Sequence, residues 1–241
     1  MYALVQMVID VKQALQDGEM TITGRLVDAS NATLLARVDD GGDGVKCIYK
    51  PIAGERPLWD FPHGTLAYRE YAAYLLSSIG AFNVVPFTIL RDGPYGEGAV
   101  QQWIDIDTEI DLIKFFQGDE PGLRIMALFD AVINNTDRKI GHLLPTSDGR
   151  ILGCDHGVTF HVDDKLRTVL WQWAGQKLNA KEVEILGNLL MLLDGSLGQE
   201  LANLLNVYEI SALKMRTSEL CKSGVFPHPN PNWPSVPWPP F

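Results

Sequence analysis

The chain has 241 residues, of which 46% are hydrophobic and 21% are charged, an ordinary composition for a folded protein. Its formal net charge of -10 disfavours binding to nucleic acid or to anionic lipid, because no dense cluster of Lys and Arg offsets it. The three cysteines are far apart and lack metal-ligand spacing, which predicts reduced thiols in the cytoplasm. No signal peptide or transmembrane segment is predicted, since no apolar run approaches the roughly 18–20 residues that span a bilayer.

The N-terminal half has the pattern of a helix followed by an antiparallel sheet. An amphipathic helix is predicted to end near Asp17 and Gly18, and a second helix runs from Thr65 to a C-cap at Gly80. A tight turn at 29–32 and a glycine-rich turn separate the first three strands. The five predicted strands are 20–29, 33–40, 45–50, 84–90 and 99–104.

The pattern becomes mainly helical after residue 104. Helices are predicted at 123–133, within 180–192 and within 197–220, with a short hairpin that pairs 143–144 with 151–152. A strand-rich half followed by a helix-rich half predicts an α+β fold in two lobes. We place the N-lobe at 1–104 and the C-lobe at 105–225.

Residues 226–241 form a tail with seven prolines, a composition that excludes helix and central strand and predicts an extended chain. Its aromatic side chains are poorly suited to water, so we expect the tail to lie along the surface of the domain. The alternative is that the tail is a ligand for the proline-binding groove of a partner.

Lys50 ends the predicted strand at 45–50. If its side chain points inward, it needs an anion, because burying an unpaired ammonium group is costly. A phosphate group together with Glu70 of the following helix would meet this need. The alternative is a lysine on an edge strand whose ammonium group lies in water.

A polar loop at 134–142 (NNTDRKIGH) separates an apolar helix from an apolar strand. In such a loop Asp137 could orient or deprotonate an acceptor hydroxyl. Arg138 or Lys139 could neutralise charge on a transferred group. His142 stands where a second metal ligand is needed. The alternative is a solvated loop built on an Asn/Asp turn.

A turn at 153–157 (GCDHG) follows a short apolar strand and places Asp155 18 positions after Asp137. A carboxylate there could bind a Mg²⁺ ion that bridges two phosphates, and Gly157 would allow a sharp turn. An ordinary Asp-His-Gly turn is the alternative. Each of these features is weak alone, and the order of Lys50, Asp137 and Asp155 is what makes them informative.

This three-part pattern resembles the phosphatidylinositol 3/4-kinase-like branch of the protein-kinase-like superfamily, near type II phosphatidylinositol 4-kinases and HipA-like kinases. The resemblance is carried by 49–51 (YKP) with Gly54 and Glu55, by 135–138 (NTDR) and by 155–157 (DHG). More narrowly, 54–62 (GERPLWDFP) and the tail resemble a group of small actinobacterial kinase-like proteins. The resemblance covers about residues 20–175 and the tail.

The resemblance implies a two-lobed protein-kinase-like fold and an ATP-dependent phosphotransferase that uses Mg²⁺ or Mn²⁺. The implied catalytic residues are Asp137, Arg138 and Lys139, and the implied metal ligands are Asp155 and His142. Lys50 would contact the phosphates of ATP, with Glu70 as its ion-pair partner. The other implied nucleotide contacts are a phosphate-covering turn at Ser30 and Asn31 and a hinge formed by Gln101, Gln102, Trp103 and Ile104.

Three features depart from this family. His142 stands where the family has asparagine, and imidazole is a poorer ligand for Mg²⁺ than an amide oxygen, so Mn²⁺ or a single metal ion is an alternative. The phosphate-covering turn has no glycine-rich signature. Residues 158–170 contain no basic cluster for an inositol phosphate, which favours a protein or a small molecule over a lipid as acceptor.

Other functions fit parts of the pattern. A nucleotide-binding pseudokinase that acts as a regulatory or scaffold module is the alternative function. Transfer of AMP in place of phosphate is a third, and no feature of the sequence separates it from phosphate transfer. A metalloenzyme is disfavoured, because the five histidines show neither HxxxH nor HExxH spacing.

Overall fold

The computed structural model of the chain describes residues 10–26 and 32–241. These residues form two compact units, the first consisting of the chain up to Arg56 with Phe87–Trp103. The second consists of Pro57–Pro86 with Ile104–Phe241. The first contains an antiparallel sheet and the second is mainly helical, which confirms the predicted α+β class. The predicted turn at Ser30 and Asn31 lies outside the described residues.

The first unit is a five-stranded antiparallel sheet with one described α-helix, α1 (Val11–Asp17). Its strands are β1 (Met20–Arg25), β2 (Leu34–Val38), β3 (Val45–Pro51), β4 (Thr88–Gly93) and β5 (Gly96–Gln102). Their order in the sheet is β1-β2-β3-β5-β4. α1 begins at Asp10, whose carboxylate accepts a hydrogen bond from the Lys12 amide, and it ends at Gly18 as predicted.

One face of this sheet carries the apolar core of the first unit. Tyr49 pairs with Leu34 on one side and with Val100 on the other, and all three are buried together with Leu15 of α1. Side chains alternate between the two faces along a strand. Lys50 therefore lies on the face opposite Tyr49, where it is half-buried.

The second unit contains six helices and a two-stranded hairpin among its regular elements. The helices are α2 (Leu66–Ile79), α3 (Leu112–Phe115), α4 (Pro121–Ile133), α5 (Ala180–Asp194), α6 (Ser196–Leu201) and α7 (Val207–Ser223). The hairpin is β6 (Leu143–Pro145) paired with β7 (Ile151–Gly153). None of the helices in the described ranges combines the length and the apolar character that crossing a bilayer requires.

Helix α4 lies at the centre of the second unit and ends at the polar loop. It starts with Pro121, which suits a first turn because the missing N–H has no helical partner there. It ends at Asn134, which adopts the left-handed conformation (φ 52°). Leu123 and Phe129 of α4 are buried in one core with Leu76 of α2 and Leu186 of α5. The chain therefore passes from a buried apolar helix directly into the loop at 134–142.

Two predicted elements differ from those in the structure. The predicted helix within 197–220 is two helices, because Asn206 caps α7: its side chain accepts hydrogen bonds from the Tyr208 and Glu209 amides. The predicted strand at 84–90 begins only at Thr88. Val84 belongs instead to the core of the second unit, where its carbonyl accepts a hydrogen bond from Gly153.

The tail at 226–241 lies along the second unit, as predicted. Phe226 is buried, and its backbone exchanges hydrogen bonds with Gly175 and Gln176. Further along, the carbonyl of Ser235 accepts hydrogen bonds from the Thr168 amide (3.0 Å) and from the Trp171 indole (2.8 Å). Proline cannot donate from its backbone, so the tail binds mainly through its carbonyl groups.

A cluster around His161 links three segments of the second unit. The Lys165 ammonium lies 2.8 Å from Asp60 Oδ2 and 3.2 Å from His161 Nε2. The rings of Trp59 and Trp233 lie 4.6 and 5.0 Å from the same ammonium group. Burial and then the Lys165 charge lower the pKa of His161, while the carboxylates of Asp163 and Asp60 oppose this shift.

We expect the stability of the chain to fall as the pH drops below about 6.5, the ordinary pKa of histidine. Because the pKa of His161 is lowered in the folded state, the unfolded chain binds the additional proton first and is favoured by acid. The decrease in Tm between pH 7.5 and pH 5.5 should be smaller by a few degrees in His161→Gln than in the wild type. His63→Gln, at an exposed position, should keep the wild-type pH dependence. Identical pH dependence in all three proteins would contradict this assignment.

Candidate active site

The polar loop at 134–142 is fixed at its beginning by Asn134. The Asn134 side chain donates hydrogen bonds to the carbonyls of His161 (3.0 Å) and Asp163 (2.6 Å) and accepts one from the Lys165 amide (3.0 Å). Asparagine tolerates the left-handed conformation better than most residues, and its side chain can both donate and accept these hydrogen bonds. The loop is thereby attached to the segment at 161–165 before the chain reaches Asp137.

Arg138 is the main internal support of the loop. Its guanidinium is fully buried, donates to both carboxylate oxygens of Asp130 on α4 and donates to the Cys154 carbonyl (3.0 Å). Its Nη2 also lies 2.7 Å from His156 Nε2. A side chain enclosed in this way does not face solvent or a ligand, so Arg138 stabilises the loop instead of contacting a transferred group.

Asp137 points in another direction and remains partly exposed. Its Oδ1 lies 3.4 Å from Arg167 Nη2 and its Oδ2 lies 3.5 Å from Lys139 Nζ. Burial raises the pKa of Asp137; the Lys139 and Arg167 charges lower it, and the Asp155 charge raises it. The net direction is upward, which favours proton uptake by this carboxylate compared with an ordinary aspartate.

Asp155 lies in the turn after β7 and is held by neighbouring backbone groups. The Cys154 amide donates to the His142 carbonyl (3.1 Å), which joins the turn to the polar loop. Asp155 itself is left-handed (φ 61°), and its side chain is about half exposed (51%). The turn and the loop therefore bring Asp155, His142 and Asp137 into one polar region of the second unit.

His142 is placed to orient Asp155. Its Nδ1 accepts a long hydrogen bond (3.4 Å) from the Lys139 amide, and its Nε2 lies 3.5 Å from Asp155 Oδ2. A neutral imidazole that accepts at Nδ1 carries its proton on Nε2. In that tautomer Nε2 faces the carboxylate as a donor, so that His142 can orient Asp155. The predicted role of His142 as a second metal ligand stays a prediction.

The residues that fit a metal ion are few. Among residues 10–26 and 32–241, no group of three or more His, Cys, Asp or Glu side chains is arranged to hold one. The half-exposed carboxylate of Asp155 offers the oxygen ligands that Mg²⁺ prefers. An ion at Asp155 fits this chain if a ligand such as a polyphosphate supplies most of its other oxygens.

Glu70 on α2 is buried and bonded to the same turn. Its Oε2 accepts a hydrogen bond from the His156 amide (3.0 Å), directly after Asp155. The neighbouring Arg69 is also buried and donates to the Thr159 carbonyl (2.7 Å) and to Glu209. The turn that carries Asp155 is therefore attached to α2. The predicted ion pair between Glu70 and Lys50 stays a prediction, because Lys50 belongs to the first unit.

The predicted hinge residues lie where the chain passes from the first unit to the second. Gln101, Gln102 and Trp103 end the first unit, and Ile104 begins the second. The Gln102 amide donates to the Phe87 carbonyl (2.8 Å) and the Trp103 amide to the Lys46 carbonyl (3.2 Å). Those two N–H groups are therefore used within the first unit.

Two residues important to this site were missed in the sequence. Asp130 interrupts an apolar helix (LFDAVI). Because a buried carboxylate needs a cation, this position could have predicted a buried ion pair. Arg167 had no signal of this kind. It approaches Asp137 because its backbone pairs with the loop: the Arg167 amide donates to the Asn135 carbonyl, and the Arg167 carbonyl accepts from Arg138.

The fold is thus an antiparallel sheet unit followed by a helical unit, with a carboxylate-containing polar site on loops of the helical unit. No protein-family model matches the chain. It is 41% identical to Protein Rv2133c of Mycobacterium tuberculosis over 267 aligned positions, which cover 96% of each protein. The chain belongs to the family of Protein Rv2133c. A solved structure, that of the Helicobacter pylori proinflammatory kinase CtkA, is similar over 87% of this chain and 93% of its own, with 11% identity and a TM-score of 0.46.

We expect Asp130→Asn to destabilise the chain strongly. The substitution leaves the Arg138 guanidinium buried without its counterion, a change that typically costs about 3–5 kcal/mol. Thermal unfolding should then show a Tm about 10 °C lower. Asp194→Asn is a suitable control, because it removes an exposed ion pair with Lys214 and should change Tm little. A Tm for Asp130→Asn equal to that of the control would show that the buried pair does not stabilise the loop.

Proposed function

We propose that this chain is an ATP-dependent phosphotransferase that transfers the γ-phosphate of ATP to a hydroxyl group. The observation that carries the proposal is the arrangement of Asp137 and Asp155. Both project from a loop and a turn that the same buried Arg138 joins, and they are close enough for the charge of Asp155 to raise the pKa of Asp137. Carboxylates on adjoining segments, one for a proton and one for a cation, suit phosphoryl transfer.

Asp137 is the proposed catalytic aspartate. The bond between the γ-phosphorus and the β–γ bridging oxygen breaks, a bond from the acceptor oxygen to that phosphorus forms, and ADP leaves. The acceptor proton passes to Asp137, whose raised pKa suits this role. Lys139 lies beside Asp137 and is the proposed contact for negative charge on the transferred group.

Asp155 is the proposed ligand of a Mg²⁺ or Mn²⁺ ion that accompanies ATP. The ion would supply neutralisation of phosphate charge when bound. His142 orients the Asp155 carboxylate, and Glu70 holds the amide that follows it. The remaining proposed nucleotide contacts are Lys50, the turn at Ser30 and Asn31, and the hinge at Gln101, Gln102, Trp103 and Ile104.

The acceptor that fits best is a protein or a small molecule. Within 158–170 the basic residues are Lys165 and Arg167, and both already have acidic partners. The Lys165 side chain is only 7% exposed and is paired with Asp60. A phosphorylated lipid headgroup would need cations from this segment, and the buried Lys165 can bind one only by leaving Asp60.

A pseudokinase that binds nucleotide as a regulatory module is the second candidate. The observation in its favour is that both oxygens of Asp137 face cations, which opposes the proton uptake required of a base. His142 in place of the usual asparagine adds to it. The two functions predict the same ligand and differ in turnover.

We expect the wild type to bind ATP with Mg²⁺ or Mn²⁺, and Asp155→Ala to lose the metal-dependent part of this affinity in isothermal titration. Asp137→Asn should retain binding and lose turnover by about 10²- to 10⁴-fold, measured as ADP formation. Because burial raises the pKa of Asp137, its ionised form opposes folding near neutral pH, so the Tm of Asp137→Asn should be no lower than that of the wild type.

Asp163→Ala is the control for both variants, since Asp163 is an exposed carboxylate near the loop. It should leave binding and turnover unchanged. No binding of ATP by the wild type with either metal would refute the proposal. If the wild type and its variants all bind ATP but none forms ADP, the result would instead support the second candidate, a pseudokinase that acts as a regulatory module.

We expect Lys50→Met to weaken ATP binding about tenfold to a hundredfold, because a charge-assisted hydrogen bond to phosphate is lost. Lys46→Met is a matched control: Lys46 lies on the same strand and the same sheet face but is exposed. Titration of both variants with Mg·ATP compares them directly. Equal affinities would remove Lys50 from the nucleotide site.

A further inference from the structure

The C-terminal tail reaches the polar loop itself. The carbonyl of Pro240 accepts a hydrogen bond from the Ile140 amide at 2.8 Å, three residues after Asp137. This contact lies at the start of the single helical turn at Ile140–His142, which positions His142. The penultimate residue of the chain therefore binds the loop between Asp137 and His142.

A second contact of the tail holds the segment that carries Arg167. Ser235 accepts hydrogen bonds from the Thr168 amide and from the Trp171 indole. On its other side, this segment pairs with the loop, since Arg138 and Thr168 form a parallel bridge. The Thr168 hydroxyl also donates to Asp130 (3.2 Å), so the segment is joined to the buried ion pair as well.

The tail is thus bonded both to the loop and to the segment, and the segment is bonded to the loop. Backbone N–H groups of a loop that lack a helical or strand partner must find acceptors. For Ile140 and Thr168 these acceptors are the carbonyls of Pro240 and Ser235. Without the tail, both N–H groups would lose their partners.

We infer that the tail at 226–241 is an intramolecular strap that positions Asp137 and Arg167. The strap itself depends only on contacts within the second unit, whereas its value for catalysis rests on the proposed function. The tail is a positioning element, because it acts on Asp137 through the Ile140 amide and on Arg167 through the Thr168 amide. This assignment also decides between the two roles that the sequence leaves open for the tail.

Burial along the tail favours the strap over a ligand for a partner's proline-binding groove. Phe226 and Pro237 are buried against the chain's own second unit. Trp233 lies over the Lys165 ammonium, and Asn230 donates to the Asp164 carbonyl (3.0 Å). Trp238 and Phe241 are exposed (88% and 60%), so a partner could contact these two side chains with the tail in place. It could bind the whole tail in a groove only by removing the contacts described above together with those to Ile140 and Thr168.

The test compares neighbouring substitutions in the full-length chain. Pro237→Asp places a charge at a buried tail position, whereas Val236→Asp places the same charge one residue earlier, where the side chain is 43% exposed. Hydrogen exchange of the Ile140 and Thr168 amides, followed by NMR, reports the strap without any nucleotide. We expect exchange about tenfold faster or more in Pro237→Asp, and wild-type exchange in Val236→Asp and in Pro237→Ala.

Trp171→Phe provides a second variant, because it removes the indole donor to Ser235 and keeps an aromatic ring. It should accelerate exchange at Thr168. If turnover is observed, Pro237→Asp should lower kcat and leave the KM for ATP unchanged, since the strap contacts the loop of Asp137. Rapid exchange of Ile140 in the wild type, or equal protection in the wild type and Pro237→Asp, would overturn the strap. Failure of ATP binding alone would overturn the proposed function and leave the exchange result standing.

Discussion

The buried ion pair between Asp130 and Arg138 is the interaction on which the polar site depends. Both side chains are fully buried and lie 2.9 Å apart. A buried pair is favourable only when further hydrogen bonds satisfy the remaining donors and acceptors. Asn135 and Thr168 complete the environment of Asp130, and the Cys154 carbonyl and His156 complete that of Arg138. This one ion pair is thus bonded to four parts of the chain: a helix, a loop, a turn and an extended segment.

Adjacent residues of the loop differ in their environment. Arg138 is fully buried and fixes the loop, whereas the neighbouring Asp137 is partly exposed. The Asp137 amide is bound by the Asn135 side chain (3.0 Å), which in turn donates to Asp130. The position of Asp137 is therefore determined by neighbours that are themselves buried. The Asp137 carboxylate is therefore not needed to hold the loop in place.

Much of the fold was predictable because its signals are local. The Gly80 cap, the hairpin of β6 and β7, and the start of the helix at Leu66 follow from spacing and turn residues, and the structure contains them. The split between α6 and α7 could also have been read from Asn206 and Glu209, which form a capping box. Val84 and Val85 have the composition of a strand, but their burial in the helical core depends on tertiary packing, which a sequence pattern does not contain.

The site was less predictable, because the roles of neighbouring residues depend on the direction of each side chain. Asp137, Arg138 and Lys139 are adjacent, and only coordinates separate the enclosed guanidinium from the exposed carboxylate. Arg167 follows Asp137 by thirty residues and reaches it through backbone pairing with the loop. The sequence could predict which chemical groups were present at 134–142 and 153–157. It could not predict which distant segments bring cations to them.

The local balance of charge is the last constraint, since the chain as a whole carries a net charge of -10. A polyphosphate approaching such a protein is repelled on average and must be attracted by a few placed cations. Lys139 lies beside one carboxylate oxygen of Asp137 and Arg167 beside the other. Asp137 therefore holds both cations in position, and its negative charge partly neutralises them. An anion that binds there competes with Asp137 for both. Binding would thereby release the carboxylate from its counterions as the negative group arrives, and the affinity of the site for an anion would be coupled to the basicity of Asp137.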